Sequence, residues 1–400
     1  MKTTQTMLGL PTPEQCLWAA VIFCTVYQSY RYPLQINSAS MSPAYSDTPL
    51  AFQAAKSIVT SGFCLISIFY LPKRCLSPAN WVMALSIVFM SIYPLIKIAG
   101  GGSGNISIYL DTAFWPLASL TLVLSTGGVS LEGLDRFFRF VFAYALLSNA
   151  IEVTLFLTTG RLPAMAYANS WLVRFGGFLD DPNGFAALLF MLMGWAYFHF
   201  TGMRRFAAEV ALMICVFLTQ SLSALGFLAL LIVFFAVQRF IRKPKPLLAL
   251  GISISIAAFL LYVWSPLADA VTAIIELRQG SIDDHLAQVT VANMSSSLDW
   301  LFGIPEYLHY ESWWVGSLVN FGAPWFVLSA AVVATLAWSV AAAFLRAQDR
   351  QMKAFLSGVL LLSAYFIVGN ANLPFFHIFP ISFLFFCFSF LVFFEKIRER

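Results

Sequence analysis

Long apolar runs separated by polar gaps dominate the chain. They fall at about 14–30, 52–71, 81–99, 106–126, 138–158, 183–202, 207–221, 223–240, 247–265, 323–345, 352–369 and 374–394. Several approach or exceed the roughly 20 apolar residues that carry a helix across a bilayer. The runs are unbroken and lack the period-2 alternation of a membrane strand. The pattern predicts an all-α polytopic integral membrane protein of about twelve transmembrane helices, a single membrane domain over residues 1–400. Only Ser221-Leu222-Ser223 separates the seventh and eighth runs, so one long or broken helix is the alternative reading there.

The polar gaps orient the chain. Lys2 precedes the first span, and Lys73 and Arg74 follow the second. Arg136 and Arg139 follow the fourth, Arg204 and Arg205 the sixth, and Arg239, Arg242, Lys243 and Lys245 surround the end of the eighth. Arg346, Arg350 and Lys353 follow the tenth, and Lys396, Arg398 and Arg400 close the chain. Every strongly basic cluster thus falls in every second gap. Cytoplasmic loops retain Lys and Arg, so both termini are expected in the cytoplasm. Merging the seventh and eighth spans would break this sorting for everything downstream, which favours twelve.

Composition agrees with the pattern. The chain is 60% hydrophobic and 10% charged, against roughly 25% charged residues in soluble domains. The net charge of +4 comes from short loops, where topology explains it, so nucleic acid is not an expected partner. The six cysteines form no CxxC pair and no cluster with histidine, so neither a metal site nor a disulfide framework is expected. The weakly basic start and the first apolar run, which has no small-x-small site, predict a retained anchor rather than a cleaved signal.

Two of the outer gaps carry candidate chemistry: 159–183, and the long stretch 266–312 between the ninth and tenth spans. In the first, Arg174-Phe-Gly-Gly-Phe-Leu-Asp-Asp-Pro-Asn183 leads into the sixth span. Asp181 before Pro182 reads as a helix start, an acidic cap followed by proline. Arg174, in a glycine-flanked loop close to a helix N-terminus, is placed to bind phosphate through its planar fork, or to pair with Asp180. Stretch 266–312 is far longer than a turn needs. It holds Arg278, His285, His309 and Glu311, with aromatics such as Tyr307 and Tyr310, and Trp313 and Trp314 just after it, that equally suit an interfacial belt. Within the spans, Asp111 and Glu152 stand out because ionisable groups there are costly. Lys97, near the same outer end, is a candidate partner, and a structural ion pair and a proton path both remain open.

These segments resemble the O-antigen polymerase and ligase superfamily. The run from Arg174 to Asn183 is similar to its Arg-x-x-Gly…(Asp/His)-Pro-Asn motif. Leu218-Thr-Gln-Ser-Leu-Ser-Ala-Leu-Gly226 is similar to its Thr-x-Ser-Arg-(Gly/Ser)-Ala stretch, although Leu222 stands where many relatives have arginine. Leu301-Phe-Gly-Ile304 and Glu311-Ser-Trp-Trp-Val-Gly-Ser-Leu-Val-Asn-Phe-Gly322 resemble the motifs that end its long outer loop. Glu311 occupies the place of the ligases' histidine, which favours a polymerase. The resemblance covers roughly residues 140–345.

The resemblance implies a GT-C-like glycosyltransferase of the bacterial inner membrane, with its active site facing the periplasm. Its donor and acceptor would be undecaprenyl-diphosphate-linked oligosaccharides, and membrane lipids and a chain-length regulator are the other partners in view. No cofactor or metal is expected. Arg174 and Arg278 are the candidates to hold the diphosphate, where negative charge develops as it leaves. Glu311 leads as general base, with His309 and His285 behind it. Asp180, Asp181, Asn183, Tyr310, Lys97 and Arg161 are candidate substrate contacts. A ligase that transfers glycan to lipid A–core is the alternative within the family. A polytopic transporter or flippase is the alternative outside it, disfavoured because the charges collect at the outer surface rather than at mid-membrane depth.

Overall fold

The computed structural model describes residues 11–30, 50–70, 77–99, 106–159, 175–179, 181–242, 294, 296–304, 313–369 and 379–398. Every predicted span except the ninth, which lies outside these residues, is built on a helix. These are α1 (Pro13–Val26), continued by a 3-10 turn Tyr27–Tyr30, α2 (Leu50–Ile68), α3 (Pro78–Ala99), α4 (Ile106–Ser125) and α5 (Leu131–Thr159). There follow α6 (Pro182–His199), α7 (Gly202–Thr219) and α8 (Leu222–Arg242). Two short helices, α9 (Ser297–Phe302) and α10 (Trp313–Phe321), precede α11 (Ala323–Arg346). The last are α12 (Arg350–Ala364), which runs into a π turn Tyr365–Gly369, and α13 (Ile381–Phe393). The sheet among the described residues is a two-residue parallel bridge, β1 (Val129–Ser130) with β2 (Ile397–Arg398), which the apolar pattern did not predict.

Local signals set the helix ends. Thr12 and Gln15 form a reciprocal capping box before α1, with Pro13 at its first position. Asp349 caps α12 by accepting from the N–H of Met352. α7 stops at Thr219 because Gln220 takes a left-handed conformation, φ +47°, and α8 begins two residues later. The seventh and eighth apolar runs are therefore two helices. Phe227 of α8 meets Phe190 of α6 at 4.8 Å, so α8 turns back alongside α6.

α13 forms the centre. Every residue from Ile381 to Leu391 is buried, as expected of a helix that is apolar all round. Around it, α6 and α12 cross at close range. A methyl group on Gly358 would lie 2.8 Å from the Met191 carbonyl oxygen, and one on Gly194 would collide with the Ser357 carbonyl. Small residues that let backbones meet are the packing device of membrane helices. The peripheral helices do the opposite and present apolar side chains outward: Trp81, Val82, Leu85, Phe89 and Ile96 on α3, and Val327 and Trp338 on α11. Four helices, Pro78–Ala99, Ile108–Ser125, Leu131–Thr158 and Ala323–Arg346, are long and apolar enough to cross a membrane.

Contacts sort the helix termini into two ends. At one end the start of α5, the end of α6 and the start of α12 come together. His199 Nδ1 lies 2.8 Å from Asp135 Oδ1, and Arg350 donates to the carbonyls of Phe198, His199 and Phe200. Lys396 donates to the Thr126 carbonyl at 2.9 Å, which brings in the end of α4 and the tail after α13. Arg136, Arg139, Arg346, Arg350, Lys396 and Arg398 thus share this basic end, as the alternation of charge predicted. The opposite end carries the described parts of the candidate segments, 175–179 with 181–183 and 301–304 with 313–322.

Candidate functional site

The glycine-rich run before α6 folds as a tight turn tied down on three sides. Gly177 has φ +59°, the left-handed region that glycine enters without a Cβ penalty. A side chain there would also meet the Phe185 ring, at 2.5 Å. The N–H of Phe175 donates to the Leu218 carbonyl at the end of α7, at 3.0 Å. The N–H of Gly177 donates to Glu152 Oε2 of α5, at 2.6 Å. The N–H of Leu179 closes the turn on the Gly176 carbonyl. Asp181 then caps α6, accepting from the N–H groups of Asn183 and Gly184 at 3.0 Å each.

The second pair of motifs closes in the same manner. The N–H of Ile304 donates to the Val319 carbonyl at 2.8 Å, joining the end of α9 to α10. Gly303 and Gly322 sit at this crossing with φ +71° and +83°. A Cβ on Gly303 would strike the Asn320 carbonyl, and one on Gly322 would lie 2.5 Å from the Leu301 carbonyl oxygen. Lys97, at the end of α3, donates from Nζ to the Ile304 carbonyl at 2.8 Å. One of its three N–H groups therefore holds the loop. Ser296 and Asp299 cap α9 reciprocally, so Asp299 serves as a helix cap.

The ionisable groups inside the spans have particular partners. Asp111 Oδ2 is 2.8 Å from Lys56 Nζ of α2, so Lys56 takes the place considered for Lys97. Helix geometry decides this: Lys56 lies in α2 directly across from Asp111 in α4, whereas Lys97 is engaged with the loop crossing. The Lys56 ammonium also stands 5.0 Å from the Phe379 ring centre and 5.6 Å from that of Trp115, a cation–π environment. Glu152 is buried and accepts from Gly177. Below the turn, Ser221 and Ser223 lie 2.9 Å apart through their hydroxyls, and Ser223 reaches the Tyr365 hydroxyl at 3.4 Å, where α12 loosens into its π turn.

The four motifs thus join pairwise, 175–183 with 218–226 and 301–304 with 313–322, at the end of the bundle opposite the basic one. Of the candidate residues, Asp181, Asn183 and Lys97 are described. Asp181 and Asn183 form the start of α6, and Lys97 braces α9. Glu311, His309, His285, Arg174, Arg278, Asp180, Tyr310 and Arg161 lie outside the described residues, as do most of 266–312 and of 159–183. The pairing of Lys56 with Asp111, and the place of Tyr365 beside the motif serines Ser221 and Ser223, were not foreseen from the sequence. For Lys56 the signal was there, a cation within an apolar run; for Tyr365 there was none. Among the described residues no three of His, Cys, Asp and Glu gather as a metal-holding group. Compared with protein-family profiles, curated proteins and solved structures, the chain matches none of them.

Proposed function

We propose that this chain is a membrane-embedded, inverting glycosyltransferase that polymerises undecaprenyl-diphosphate-linked oligosaccharide repeat units at the periplasmic face. The observation that carries this reading is the pairwise closure of four separate motifs at one end of an apolar helix bundle, with the basic loops at the other. Phe175 bonds to Leu218 in one pair and Ile304 to Val319 in the other, which supports a site for a lipid-linked substrate at that end. In this reading Arg174 and Arg278 clamp the diphosphate, which needs positive charge as it departs. Glu311, His309 or His285 takes the proton from the incoming sugar hydroxyl. Attack opposite the leaving diphosphate inverts the anomeric centre.

Asp181, a candidate substrate contact, also caps α6, its carboxylate accepting two N–H groups of that helix. The deciding experiment supplies purified protein with the undecaprenyl-linked repeat unit alone. A ladder of products supports the polymerase. A product that forms only when lipid A–core is added supports the ligase instead, and no product in either case removes the glycosyltransferase reading. In the active enzyme, Arg174→Ala and Arg278→Ala are each expected to abolish extension in protein that remains folded and inserted. Extension of normal length in either variant takes that arginine out of the clamp.

A further inference from the structure

Resting on the glycosyltransferase reading, we propose that Glu152 is a positioning residue: its carboxylate fixes the turn that follows Arg174, with Tyr144 and Phe156 of the same helix as its side supports. Three contacts from one helix converge on four consecutive residues. Phe156 packs edge-on against Phe175 at 5.9 Å, Glu152 Oε2 accepts from Gly177 at 2.6 Å, and Tyr144 packs against Phe178 at 5.8 Å. Tyr144, Glu152 and Phe156 are eight and four residues apart, a spacing that keeps them on one broad face of α5. Tyr144 is itself held, its hydroxyl 2.8 Å from that of Ser29.

Glu152 lies mid-helix, 2% exposed, where backbone groups satisfy one another and an ionisable side chain is costly. The turn does need it. Gly177 is buried in a left-handed conformation, and a buried N–H requires a partner. The Glu152 side-chain oxygen is that partner. The turn that α5 fixes in this way begins one residue after Arg174.

The test compares Glu152→Met, which keeps the volume and removes the acceptor, with Glu152→Gln, which keeps an acceptor oxygen and removes the charge. Turnover is measured per folded, monodisperse molecule in the ladder assay, together with amide exchange at residues 175–179. Loss of this buried hydrogen bond should lower kcat about 10- to 100-fold in Glu152→Met. KM for the lipid-linked donor should move by less than about 3-fold, and Glu152→Gln should recover most of the rate. Amide exchange at Gly177 should quicken in Glu152→Met and stay slow in Glu152→Gln. If Glu152→Met does not fold, Glu152→Ser, too short to reach the turn, reads the same quantities. Wild-type kcat in the acceptor-free variant, or a rise confined to KM, overturns the proposal. So does a Glu152→Gln as slow as Glu152→Met. A wild-type protein that makes no glycan defeats the polymerase reading alone; the exchange arm then still decides whether Glu152 fixes the turn.

Discussion

Asp181 shows how one side chain can satisfy a motif and yet serve the fold. Its two carboxylate oxygens each take an N–H of the first turn of α6, so the negative charge sits where the helix dipole favours it. Asp181→Ala is expected to cost about 1 kcal/mol of stability, and Asp181→Asn, which keeps one of the two acceptor oxygens, less than that. Thermal unfolding in detergent reads the difference. If Asp181→Asn keeps its fold but loses chain extension, the carboxylate contacts substrate after all. The ion pair of Lys56 and Asp111 makes a sharper case. Its side chains are 20% and 16% exposed, so replacing one partner strands a charge that water reaches poorly. Lys56→Met or Asp111→Leu alone is expected to cost roughly 1–3 kcal/mol, after discounting for that exposure, and the double replacement to recover most of it. Additive losses would show that the two groups act independently.

At the scale of elements, much of the architecture was legible in the chain. Apolar runs mark helices directly because a bilayer-facing or buried helix needs nothing else. The division between α7 and α8 was carried by the alternation of basic loops, and Gln220 supplies its physical cause. Asp181 followed by Pro182 announced the start of α6. What escaped the sequence depends on approach between distant segments. The partner of Asp111 is set by how α2 lies against α4, and no local pattern encodes that. The bridge between Val129–Ser130 and Ile397–Arg398 joins two short stretches with no strand signal of their own. The crossing of Gly303 and Gly322 is intermediate: both glycines belong to recognisable motifs, yet only the fold reveals that they abut. Gly322→Leu should force this crossing apart and expose α9 and α10 to protease. Digestion at the wild-type rate would show that the crossing tolerates a side chain.

For the molecule as a whole, the distribution of exposed apolar side chains and of charge points in one direction. Side chains such as Trp338, 74% exposed, and Ile96, 61% exposed, ring the bundle, and contiguous apolar surface of this kind needs a partner. Lipid is the partner that suits helices of this length. The chain should therefore stay with the membrane pellet through an alkaline carbonate wash and leave it only with detergent. The two ends can be assigned by accessibility: a cysteine in place of Glu132 and another in place of Leu298 should be labelled from opposite sides of a sealed vesicle. Labelling of both from one side would undo the two-ended arrangement.

The buried α13 has a consequence for biogenesis. It lies downstream of every other described helix, so a ribosome delivers the middle of the bundle after its surroundings. Until then α4 and α11, the helices that pack most closely on α13, lack their main partner. Assembly of this protein is therefore completed from the outside in, and a lesion in α13 should mimic a failure of the entire fold.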